Sequence, residues 1–178
     1  MYAVELFFNE EADSYIRSIW NELSDNNIDS SLNDIEEISP HITLAVYENI
    51  DEEAFIKDFK VFKSNFKTIN TSFDILGTFP ITGICLIKPT VTQELLNIHS
   101  KYHQQLKAFN ETASPYYLPD RWTPHCTLAI NLNNDKLKKV FSFVLDKFKP
   151  LNVTLTDIGL IKICSKNDNT CALSVRLA

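Results

Sequence analysis

The segment Pro-His-Ile-Thr-Leu-Ala at residues 40–45 recurs as Pro-His-Cys-Thr-Leu-Ala at residues 124–129. Five of the six positions are identical, and ordinary residue frequencies give such a second match by chance on the order of once in ten thousand. The chain has four histidines, and two of them fall in this repeated segment. The repeat therefore indicates an internal duplication, with one copy of the segment in each half.

Each half shows the same order of elements around its copy. Apolar residues alternate or cluster where strands are expected and recur every three or four residues where helices are expected. In the second half, Thr90 and Gln93 fit a capping box that would begin a helix. The predicted strands are residues 2–8, 41–47, 69–77, 83–88, 125–132, 151–163 and 171–177. The predicted helices begin near Ala12, Asp51, Thr90 and Leu137.

Strands that alternate with amphipathic helices predict an α+β fold in which helices cover a mostly antiparallel sheet. We expect one bilobal domain over residues 1–178, built from two pseudo-symmetric repeats at about 1–80 and 81–178. Each lobe would contribute its own sheet, and the two lobes would meet along a central groove.

Composition limits the classes of function. The chain has 178 residues, 44% apolar residues and a net charge of −6. Long nucleic acids are held through many basic contacts to phosphates, and no basic stripe is visible, so we expect a small phosphorylated partner or an RNA end. The first residues do not resemble a signal peptide, and no segment has transmembrane length, so we expect a cytoplasmic monomer without a membrane partner.

The repeated segment places chemistry on one face of a strand. Because side chains alternate along a strand, His41, Thr43 and Ala45 would share a face, as would His125, Thr127 and Ala129. The small alanines would leave room for a ligand. If the lobes are related by a pseudo-twofold axis, two imidazoles and two hydroxyls converge on one ligand. This set suits in-line displacement at phosphorus, with one histidine as base, the other as acid, and no metal or other cofactor.

The paired His-Ile-Thr-Leu and His-Cys-Thr-Leu segments resemble the twin His-x-Thr/Ser motifs of the two-histidine phosphoesterase superfamily. That superfamily includes 2′-5′ RNA ligase-like proteins and cyclic nucleotide phosphodiesterases. The resemblance implies a bilobal fold whose motif strands line a groove, and action on 2′,3′-cyclic phosphates or 2′-5′ linkages of RNA ends or nucleotides. It also implies that His41 protonates the leaving oxygen and His125 activates the attacking water or hydroxyl.

Residues near the motifs are candidates for substrate binding. Arg121 lies four residues before His125 and is able to steer a phosphate. Trp122 and Tyr117 lie in the same loop and are able to stack on a base. Phe7, at the end of the first strand, is a candidate to line the groove. Loop or core packing is the alternative interpretation for the aromatic residues.

Two other features allow alternatives. His99 and His103 are four residues apart on a helix and would bind zinc if a third ligand were present; otherwise they lie on a partly exposed helix face. Cys164 and Cys171 flank an expected hairpin turn, although reduced, buried thiols are the simpler interpretation for all four cysteines. A non-catalytic protein that binds nucleotides or RNA ends through the same groove is the alternative to an enzyme.

Overall fold

The computed structural model describes residues 1–163 and 174–178. The strands are β1 (Tyr2–Phe8), β2 (His41–Tyr47), β3 (Ile69–Phe79), β4 (Ile84–Pro89), β5 (Cys126–Ala129), β6 (Leu151–Ile163) and β7 (Ser174–Arg176). The helices are α1 (Glu10–Asp25), α2 (Glu52–Ser64), α3 (Gln93–Gln105) and α4 (Asn134–Lys147), and two short 3-10 helices follow α3 at Lys107–Thr112 and Pro115–Tyr117. The α+β class is confirmed, and all the strand pairings are antiparallel.

The strand order is β2-β1-β6-β3-β4-β5, with β7 also paired to β6. This order contains two equivalent triplets, β2-β1-β6 and β5-β4-β3. Each triplet joins the first two strands of one sequence repeat to the third strand of the other repeat. The lobes therefore exchange their third strands, and the pairing of β3 with β6 joins both triplets into one continuous sheet.

The helices pack together in the same crossed manner. Helix α1 packs against α4, and α2 packs against α3, so that each contact joins the two repeats. The predicted apolar stripe of α1 is buried, including Ile16, Ile19 and Trp20. A single connected cluster of buried apolar side chains runs beneath all four helices.

The start of α3 differs from the predicted capping box. Its N-cap is Thr92, whose hydroxyl accepts a hydrogen bond from the amide of Leu95 at 3.2 Å. Thr90 is still held by β3, because its amide donates to the carbonyl of Ser72. The prediction of a capping box that begins at Thr90 is therefore wrong, because the N-cap lies two residues later.

The two strands that carry the repeated segments, β2 and β5 (the motif strands), both contain a β-bulge at the same place. Consecutive residues Val4 and Glu5 of β1 pair with Ala45 and Thr43, so that Leu44 has no partner of its own. The pairing between β4 and β5 skips Leu128 in the same way. A bulge interrupts the two-residue alternation of side chains. Ala45 and Ala129 are consequently buried in the core, and the prediction that they share the faces of the histidines is wrong.

Strand β5 ends at Ala129, three residues earlier than predicted. The amide of Ile130 donates to the hydroxyl of Ser31 instead of to a neighbouring strand, and Asn131 has a left-handed φ of 57°. The expected hairpin turn and the two cysteines that flank it, Cys164 and Cys171, lie outside the described residues. The other two cysteines, Cys85 and Cys126, are buried free thiols. Burial raises the pKa of each thiol to about 12.

Candidate active site

The two histidines and two threonines of the repeated segments line one groove. His41 and Thr43 enter it from β2, and His125 and Thr127 enter it from the start of β5. The groove has a volume of about 360 Å³, which is within the usual range for small-molecule sites. The structure therefore brings together the four residues that the sequence predicts to be catalytic.

The imidazole rings are held in matched orientations. His41 Nδ1 lies 2.7 Å from the carbonyl oxygen of Ser39, and His125 Nδ1 lies 2.7 Å from the carbonyl oxygen of Thr123. Because a carbonyl only accepts, Nδ1 carries the hydrogen in both rings. The Nε2 atom of each neutral ring is thus the basic one, and each ring is fixed by the backbone two residues before it.

The indole groups of two tryptophans hold the motif strands from opposite repeats. Trp122 donates from Nε1 to the carbonyl of Thr43 at 2.8 Å, and Trp20 donates to the carbonyl of Thr127 at 3.2 Å. Strands β2 and β5 form the two ends of the strand order, where carbonyl groups would otherwise lack partners. Each motif strand is therefore fastened by a side chain that the other repeat supplies.

The environments of the two histidines differ in charge. Glu5 Oε2 lies 3.4 Å from His41 Nδ1, and the Glu5 carboxylate is buried at the groove wall. Burial lowers the pKa of His125; the Thr123 carbonyl opposes this shift, whereas His41 and Lys88 add to it. Phe79 also packs edge-on against His125, with ring centroids 5.0 Å apart.

The predicted binding residues are distributed unequally. Tyr117 lines the groove, and burial, followed by the charge of Glu5, raises its pKa, so its hydroxyl stays protonated at neutral pH. Trp122 does not line the groove; its ring is stacked on His99, with ring centroids 4.1 Å apart. Phe7 packs beneath the guanidinium of Arg176, and Arg121 is exposed near Tyr116.

His99 and His103 do not lie on a partly exposed helix face, as the sequence suggested. Their residues are 4% and 2% exposed. His99 Nε2 lies 2.7 Å from the carbonyl oxygen of Tyr117, and His103 Nδ1 lies 2.8 Å from Asn110 Oδ1. Across residues 1–163 and 174–178, no group of three or more His, Cys, Asp or Glu side chains is arranged to hold a metal ion.

Sequence reasoning missed Glu5, Lys88 and Trp20. Glu5 is the only acidic residue in β1 (Tyr-Ala-Val-Glu-Leu-Phe-Phe), and a lone carboxylate in a buried strand was the available signal. Trp20 has the same helical spacing as its core neighbours, so the sequence did not mark its hydrogen bond to Thr127.

A sequence model of the 2′-5′ RNA ligase superfamily matches residues 10–167. The chain belongs to this superfamily. Membership supports an enzyme of the phosphoesterase or ligase type. A search of curated proteins finds no match. In the described residues, no helix is both long enough and apolar enough to cross a membrane.

Solved structures share the superfamily fold at low sequence identity. E. coli LigT complexed with 3′-AMP matches with a TM-score of 0.67 and 12% identity, over 99% of this chain and 94% of that one. A protein from Thermus thermophilus matches with a TM-score of 0.62 and 13% identity, over 99% and 94%. A structure described as a phosphoesterase matches with a TM-score of 0.62 and 12% identity, over 99% and 96%.

Proposed function

We propose that the protein is a metal-independent phosphodiesterase that acts on 2′,3′-cyclic phosphates or 2′-5′ linkages of RNA ends or nucleotides. The observation that carries this proposal is the convergence of both His-x-Thr motifs on one groove with matched imidazole orientations. Two histidines with basic Nε2 atoms supply an acid and a base to a single reacting phosphorus. Superfamily membership supports the same type of enzyme.

The charges around the site favour one direction of proton transfer. Burial lowers the pKa of His125, so its ring is neutral at pH 7 and is suited to take a proton from the attacking water. His41 lies beside the carboxyl group of Glu5, with Nδ1 and Oε2 3.4 Å apart, and this arrangement suits a ring that protonates the leaving oxygen. This assignment, reached from the charges, agrees with the one that the family resemblance implies.

The threonine hydroxyls and Tyr117 complete the proposed site. Thr43 and Thr127 stand beside the histidines in the groove, where their hydroxyls would donate to the phosphoryl oxygens that gain charge in the transition state. Tyr117 is a further donor because its hydroxyl keeps its proton. Of the four binding residues that the sequence suggested, we retain Tyr117 alone as a contact to substrate.

The groove favours a small substrate. Its volume of about 360 Å³ suits a single nucleotide unit, and its wall includes the apolar side chains of Ile35, Ile38 and Ile84 for a base or ribose. LigT, which shares the fold, is known with 3′-AMP bound, and this supports a nucleotide ligand here. The net charge of −6 is unfavourable for binding a long polyanion.

The first test is turnover of the four 2′,3′-cyclic nucleotides with EDTA present, by the wild type and by His41→Ala and His125→Ala. We expect the wild type to form a single monophosphate isomer and each variant to lose at least ~100-fold in kcat/KM, while circular dichroism shows an intact fold. Saturable binding without product would favour the alternative of a non-catalytic binding protein. Loss of activity with EDTA would contradict the metal-independent mechanism.

A matched pair of variants tests the hydroxyl of Thr127. Thr127→Val keeps the shape of the side chain and removes the donor, and we expect ~100-fold lower kcat because one stabilising hydrogen bond in the transition state is lost. Thr127→Ser keeps the hydroxyl and should lose less than ~10-fold. Equal losses in the two variants would show that packing, and not hydrogen bonding, is the role of Thr127.

A further inference from the structure

One buried carboxylate breaks the symmetry of the two motif sites. In the β1–β2 ladder, Glu5 is the partner of Thr43, and in the equivalent β4–β5 ladder Leu86 is the partner of Thr127. Glu5 is 5% exposed and lines the groove. The two sites are thus alike in their histidines and threonines, but only the first has an acid at this position.

The carboxylate lies against the ring nitrogen of His41 that faces away from the expected ligand. Glu5 Oε2 is 3.4 Å from His41 Nδ1, while the Nδ1 hydrogen is directed to the Ser39 carbonyl at 2.7 Å. Nδ1 therefore faces two oxygen atoms, both of which stabilise a positive charge on the ring. The carbonyl orients the ring, and the carboxylate supplies the negative charge.

The charges that face the other histidine are of the opposite sign. His125 Nδ1 is held by the Thr123 carbonyl, and among the described residues the charges that act on its ring are those of Lys88 and His41. Both disfavour a second positive ring. The groove thus contains two imidazoles of the same orientation, one beside a carboxylate and one near an ammonium group.

Two positive groups act on the buried Glu5 carboxyl group. Burial raises its pKa, and the nearby charges of His41 and Arg176 oppose that shift. Arg176 is itself paired with Asp157 of β6, and Tyr117 faces Glu5 from the 3-10 helix across the groove. His41 is therefore the direct charge partner of Glu5, and the arginine is shared with a second carboxylate.

We propose that Glu5 is a positioning residue that keeps the catalytic proton on His41, and that it thereby assigns the acid role to His41 and the base role to His125. This inference rests on the proposed function. In hydrolysis of a cyclic phosphate, a water oxygen bonds to phosphorus as its proton passes to His125 Nε2. The bond from phosphorus to the ribose oxygen breaks, and that oxygen takes the proton from His41 Nε2. Exchange with solvent then restores both rings.

The test compares two substrates that differ in their need for an acid. A 2′,3′-cyclic nucleotide releases an alkoxide that must be protonated, whereas an activated aryl phosphodiester releases a stable phenolate that needs no proton. For Glu5→Gln we expect kcat/KM on the cyclic nucleotide to fall ~10- to 100-fold at pH 7, and on the aryl diester by less than ~3-fold. The alkaline limb of the pH–rate profile should move to lower pH, because the acid would lose its proton more easily without the carboxylate.

Glu53→Gln is the matched control, because it removes the same charge from an exposed position on α2 and should leave both rates unchanged. Equal losses on the two substrates in Glu5→Gln would show that Glu5 only maintains the fold. Movement of the acidic limb in place of the alkaline limb would show that Glu5 acts on His125. Either result would overturn the inference.

A measurement without turnover separates this inference from the proposed function. If the wild type hydrolyses neither substrate, the proposed function fails. The ring resonances of His41 in NMR titrations of wild type and Glu5→Gln then report the proton directly. We expect His41 to lose its proton at lower pH in Glu5→Gln than in wild type, and identical titration curves would refute the role of Glu5.

Discussion

His99 makes the stability of the fold sensitive to acid. It is buried between the Tyr117 carbonyl and the ring of Trp122. Burial, opposed by the hydrogen bond to Tyr117, lowers its pKa to about 4 from an ordinary value of 6.5. As the pH falls, His99 is therefore protonated near pH 6.5 in the unfolded chain but only near pH 4 in the folded chain. Stability contributed by His99 is complete above pH 6.5 and is lost as the pH falls through this window.

The size of the effect follows from the two pKa values. Between pH 7 and pH 4.5, the difference in proton uptake corresponds to roughly 2 kcal/mol. His99→Phe keeps a ring against Trp122 but cannot take up this proton. It also leaves the Tyr117 carbonyl unpaired, which should cost about 1–2 kcal/mol at pH 7.

Urea denaturation of wild type and His99→Phe at pH 7 and pH 4.5 measures both quantities. We expect the variant to be less stable at pH 7 and the two proteins to have nearly equal free energies of unfolding at pH 4.5. The difference between the proteins isolates His99, because every other titrating group is common to both. The reasoning is refuted if wild type and variant lose the same free energy of unfolding between these pH values.

Three further predictions concern catalysis and local structure. Because burial lowers the pKa of His125, the acidic limb of kcat/KM should lie below pH 6.5, and a midpoint above that value in the pH–rate profile would contradict its role as base. Gly83→Ala should lower the free energy of unfolding in urea by at least ~3 kcal/mol. The reason is that Gly83 has a φ of 63° and an added Cβ would lie 2.0 Å from the Leu132 carbonyl oxygen. Gly77→Ala is the control and should cost less than ~1 kcal/mol, because its Cβ would meet only a side-chain methyl at 3.4 Å. Thr92→Ala should lower stability by about 1 kcal/mol, because it removes the N-cap of α3, and an unchanged melting temperature would show that another group caps the helix.

The repeated segment was enough to predict the four groove residues, because it combined rare residue types with a matched place in a duplication. The alternation rule then failed at Ala45 and Ala129. A bulge depends on the register of the neighbouring strand, and Val4 and Glu5 pair around Leu44 only in the folded sheet. The two-residue alternation of side chains in the sequence does not specify that register.

The sequence also could not show which repeat supplies each contact. Helical spacing predicted that Trp20 is buried, but its hydrogen bond reaches Thr127, 107 residues away. The partly exposed position expected for His99 and His103 was wrong for a related reason. The 3-10 segment that follows α3 returns over the helix, and its Tyr117 carbonyl meets His99. Such contacts depend on the path of a loop. Loop residues are polar and lack a regular apolar period, so the sequence does not predict that path.

The exchange of third strands has a consequence for how the chain acquires its structure. Strand β1 pairs with β6, so Tyr2 meets Lys162 near the other end of the chain. The triplet that contains β1 and β2 is incomplete until β6 near residue 151 has been synthesised, and the other triplet is incomplete until β5 has been synthesised. Contacts of such long sequence separation slow folding, because loop closure comes before most of the favourable pairing. A half-chain on the ribosome therefore presents the unpaired edges of β1 and β3, and the fragment 1–80 expressed alone should be prone to aggregate.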